Sequence, residues 1–122
     1  MSDKVFELCE QVYAVTGWHD TLDYMFKRNG HINVDRGNNL EAAGWWWYQG
    51  IKDSTPLYTS DYLLDHLPKH IHLHSYTDGE WHAVYVQPPR LRTIQNAISI
   101  PANTHLVALL KLTLELKKEN LL

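Results

Sequence analysis

The sequence predicts an α/β fold of the α+β type: a small three-layer sandwich with antiparallel hairpins in a central sheet and amphipathic helices at the N- and C-terminal ends. Two observations carry this. Apolar residues recur at helical spacing near both ends, at Val5, Leu8, Cys9, Val12 and Thr16, and again at Leu106, Leu109, Leu110, Thr113 and Leu116. Between them, alternating segments flank Asn29-Gly30 and Asp78-Gly79, dipeptides suited to the positive φ angles of tight hairpin turns.

Residues 2–16 read as the first helix, with Ser2 as cap and Gly17 as a left-handed stop. Leu22–Lys27 and His31–Val34 then form a small hairpin about Asn29-Gly30. The stretch from Asp35 to Ile51 mixes loop, helix and strand signals, and is read as a short turn followed by a strand through Trp45-Trp46-Trp47-Tyr48. Lys52-Asp53-Ser54-Thr55-Pro56 reads as a loop. Thr59 or Ser60 caps a short helix over residues 61–67 that Pro68 stops. Strands are expected at about 70–76 and 81–87, ended by Pro88-Pro89. Asn103 or Thr104 opens the last helix, which runs to about Lys118, with Val107 and Leu114 widening its oily face.

A chain of 122 residues with 44% hydrophobic and 20% charged residues has the size and composition of one soluble domain, residues 1–122. Such a domain folds without a metal or a disulfide to hold it. The net charge of −3 argues against a general nucleic-acid binder, which needs a basic face. Protonation of all eight histidines would carry that charge to +5, so solubility is expected to respond to pH. Cys9 is the one cysteine, and its place on the apolar stripe suits an inert buried thiol in a reducing cytoplasm. No signal core or membrane-length apolar run is seen, so a cytoplasmic protein without membrane contact is expected.

Leu8-Cys9 through Thr16-Gly17-Trp18, Pro56-x-Tyr58-x-Ser60-Asp61-Tyr62-Leu63-Leu64 with Leu67-Pro68, Trp81-x-Ala83-x-Tyr85, and Ala102-Asn103-Thr104 together resemble the phage alpha-beta-alpha sandwich domain, a family of small phage and prophage proteins. The likeness spans about two thirds of the chain by its ends and middle, and departs from the family's usual tyrosine-serine-threonine-aspartate order at Tyr58-Thr59-Ser60-Asp61. The resemblance implies a three-layer fold, a phage or prophage origin, and an accessory protein in the bacterial cytoplasm. It implies no reaction, cofactor or catalytic residue.

The candidate chemistry lies in His70-Ile71-His72-Leu73-His74 and the strand that follows. A two-residue turn at Asp78-Gly79 would pair Ser75 with His82, His74 with Ala83, His72 with Tyr85 and Ile71 with Val86. Ile71, Leu73, Val84 and Val86 would then share an apolar side with His82, leaving His70, His72 and His74 beside Trp81 and Tyr85. The simplest role for these histidines is as polar sheet residues. A metal role would use a neighbouring pair, since alternate residues stand about 6.7 Å apart while His70 and His74 stand about 13 Å apart. His66 or Asp65 would supply a further ligand.

No Gly-x-Ser-x-Gly elbow, nucleotide loop or cysteine cluster occurs, so binding is expected rather than catalysis, with no cofactor. The partner is expected to be a host or phage protein or a second copy of this chain. Trp45, Trp46 and Trp47 are the candidate contact residues, because consecutive strand residues point to both faces. Burial under both outer layers of a sandwich is the simpler fate for them. The rival reading is a metal-binding protein or metal-dependent enzyme built on the His70, His72 and His74 strand.

Overall fold

The computed structural model describes residues 3–21, 23–36, 53–75, 79–86 and 97–122, with the backbone alone at Asp35 and Arg36. Contacts divide the chain into two compact units, Met1–Tyr58 and Thr59–Leu122. The described residues form three helices and two antiparallel three-stranded sheets, the α+β class expected, with the strands shared between two sheets in place of one central sheet.

In the first unit, α1 (Asp3–Thr16) buries Val5, Phe6, Leu8, Cys9 and Val12. Gly17, at φ +72°, ends the helix with its N–H donating to the Tyr13 carbonyl at 2.8 Å. The strands β1 (Asp23–Arg28) and β2 (His31–Arg36) pair antiparallel about Asn29 and Gly30. Both turn residues have positive φ, 53° and 77°, as a two-residue hairpin of this hand requires. Two tyrosine hydroxyls fasten the segment after α1: Tyr58 donates to the Trp18 carbonyl at 2.6 Å and Tyr24 to that of His19 at 3.0 Å. Lys27 lies 4.7 Å from the centre of the Phe6 ring, a cation over an aromatic face.

The loop expected at 52–56 is in part a strand. β3 (Ser54–Leu57) pairs antiparallel with β1, setting Thr55 against Met25 and Pro56 against Tyr24. Among the described residues the sheet order β2-β1-β3 leaves β3 at an edge, where a proline is tolerated. Asp53, at φ 60°, turns the chain into it and accepts the Lys27 N–H at 3.0 Å. Helix α1 packs on β3, and Met25, Thr55 and Tyr58 are fully buried.

In the second unit, α2 (Ser60–His66) begins at Thr59, whose hydroxyl accepts the Tyr62 N–H at 3.1 Å. The strands β4 (Ile71–Ser75), β5 (Trp81–Val86) and β6 (Ala97–Ala102) form a sheet in that order, each pair antiparallel. Thr104 caps α3 (His105–Lys118) by accepting the Val107 N–H at 3.2 Å. Helix α3 lies on β5 and β6 and touches α2. It buries Ala108, Leu109, Leu110, Leu112, Thr113 and Leu116, a face turned from the one read from sequence, since Ala108 and Leu112 join it while Leu106, Val107 and Leu114 are half-buried. The buried Thr113 hydroxyl donates to the Leu109 carbonyl at 2.8 Å.

Burial of a leucine side chain stabilises by roughly 1.5–3 kcal/mol, and its removal also leaves a cavity. Leu109→Ala, at a fully buried position, is therefore expected to cost about 2–5 kcal/mol in urea denaturation. Removal of the Thr104 cap by Thr104→Ala is expected to cost about 0.5–2 kcal/mol.

Candidate functional site

The β4-β5 register decides what the histidines can do. Ile71 stands opposite Tyr85, His72 opposite Val84, Leu73 opposite Ala83, His74 opposite His82 and Ser75 opposite Trp81. Ser75 opposite Trp81 is the last described pair, where a two-residue turn would set Ser75 opposite His82; residues 76–78 lie outside the described residues. The expected register is corrected by one residue on one strand, and such a slip exchanges the faces of every side chain on it. Trp81 and Tyr85 leave the histidine side and join Ile71 and Leu73. His82, Val84 and Val86 cross to the side of His72 and His74.

Strand β6 extends both faces, with Ile100 against Ala83 and Ile98 against Tyr85 on one, and Ser99 against Val84 and Pro101 against His82 on the other. The first face is the core side, where Ala83 and Tyr85 are buried. On the second, His72, His74, Ser99 and Pro101 are exposed and His82 and Val84 half-buried. The Val86 N–H donates to the His70 carbonyl at 3.3 Å, which marks His70 and Val86 as a hydrogen-bonded pair. By alternation His74 and His82 are also such a pair, with Cα atoms about 5.5 Å apart.

Along β4 the His72 and His74 rings stack, centres 6.2 Å apart and planes inclined 29°. Across the sheet, His82 Nδ1 lies 3.2 Å from Ser99 Oγ and its Nε2 lies 3.6 Å from Glu80 Oε1. Glu80 precedes β5 by one position, two residues from His82 and so on the same side of the chain. Three imidazoles and a carboxylate thus share one side of this sheet. Among the described residues no three histidine, cysteine, aspartate or glutamate side chains are placed to hold a metal ion.

The remaining sequence candidates fall elsewhere. His70, at φ 77°, is exposed and leads into β4 at the far end of the histidine row. His66 sits on α2, its Nδ1–H donating to the Tyr62 carbonyl at 2.9 Å and its ring stacked on Tyr62 at 3.9 Å. Asp65 is exposed on the same helix. Trp45, Trp46 and Trp47 lie outside the described residues. His82 is the member that sequence reasoning put on the wrong side, and its signal was parity: an odd-length connection, unlike a two-residue one, puts His82 on the side of His74.

One further polar pair was unforeseen. The Ser60 hydroxyl and His105 Nδ1 are hydrogen-bonded, joining the starts of α2 and α3, and the Trp81 ring stands edge-on to His105 at 5.3 Å. An aromatic ring therefore flanks this imidazole, which braces two helix ends. In the first unit, burial pushes the Cys9 thiol up to about 12, which keeps it protonated and unreactive at neutral pH. Burial also raises the Glu10 carboxyl, against the opposing pull of Lys27.

No family model, curated protein or solved structure matches the chain. The likeness to the phage domain rests on the sequence segments alone.

The register predicts close Hα–Hα contacts at the non-hydrogen-bonded pairs Ile71/Tyr85, Leu73/Ala83 and Ser75/Trp81 in nuclear Overhauser spectra. Contacts at His72/Tyr85 and His74/Ala83 instead would restore the two-residue turn. Cys9 is expected to resist alkylation at pH about 8 in the native protein and to react once denatured.

Proposed function

We propose that this protein binds a divalent transition-metal ion through the histidine side of its β4-β5-β6 sheet, and that it acts by binding rather than catalysis. The observation that carries this reading is the register that sets His82 opposite His74, on the side that also carries His72. Neighbouring positions at about 5.5 Å across the strands and about 6.7 Å along β4 let imidazoles converge on one ion held at about 2.0–2.1 Å. The His72 and His74 ring centres stand 6.2 Å apart, and the stacked rings would have to turn and close to the about 5 Å of two imidazoles on a tetrahedral ion. Exposure of both rings gives an ion access from solvent. Imidazole donors favour zinc, copper and nickel over magnesium or calcium, which take oxygen ligands.

The sequence resemblance adds a setting, that of a phage or prophage accessory protein in a bacterial cytoplasm. Protein partners at Trp45–Trp47 belong to the same proposal and rest on the aromatic run alone. On the membrane side, no helix among the described residues is long and apolar enough to cross a bilayer.

Isothermal titration of tag-free protein is expected to show one ion per chain, with affinity rising from cobalt through nickel to copper and zinc below copper. His74→Ala and His82→Ala are each expected to weaken zinc by about tenfold or more, while His31→Ala on β2 leaves it unchanged. No binding, or equal binding by the wild type and a His74→Ala/His82→Ala double variant, overturns the reading.

A further inference from the structure

We draw no further inference here: the strongest candidate, the side-chain cluster of Ser60, His105 and Trp81 where α2 and α3 begin, restates the bracing of two helix starts already described, and nothing in the structure shows what its hydroxyl and imidazole would act on.

Discussion

The hydrogen-bonded register of β4 on β5 is the constraint on which the second unit depends. With Ser75 opposite Trp81, every odd-numbered residue of the two strands faces one side and every even-numbered residue the other. The odd side carries Ile71, Leu73, Ala83 and Tyr85 and is continued by Ile98 and Ile100 of β6. That is the apolar surface the oily face of α3 needs, and α3 packs on β5 and β6. The even side receives what the core rejects, His72, His74 and His82 with Ser99 beside them. Core and candidate site are thus consequences of one pairing, and neither can shift without the other.

Much of the fold was legible because its signals were local. Helical periodicity marked α1 and α3, hydroxyl caps marked α2 and α3, and Asn29-Gly30 fixed a hairpin whose two turn residues do have positive φ. Strands β3 and β6 were not legible, and both contain a proline, Pro56 and Pro101. Proline argues against a central strand, yet among the described residues β3 and β6 stand at the ends of their sheet orders, where one ladder side pairs with no described strand. Ile98, Ile100 and Ala102 carried the period-two pattern of β6, masked by Pro101 among them.

The site was half legible. The alternation of His72 and His74 marks one face of a strand from sequence alone, while His70, at φ 77°, precedes β4 (Ile71–Ser75) instead of opening it. The cross-strand partner was not legible, because it depends on the parity of the 76–80 connection. Asp78-Gly79 suggested a two-residue loop, and although Gly79 does have φ +82°, the observed register, with Ser75 opposite Trp81, is one residue off the one that loop requires. An error of one residue exchanged Tyr85 for Val84 opposite His72, and so turned a three-histidine side into an aromatic one. Glu80 was missed for the same reason, since its relation to His82 matters only once His82 is on the histidine side.

The central claim is that His72, His74 and His82 act together on one ion, and their ring resonances report on it most directly. In a histidine-resolved NMR titration with zinc, the account predicts that the Cε1–H signals of these three residues shift together and saturate at one equivalent. Those of His19, His31, His66 and His105 stay in place. Shifts spread over all the exposed histidines without saturation at one equivalent, or none at His82, would contradict it.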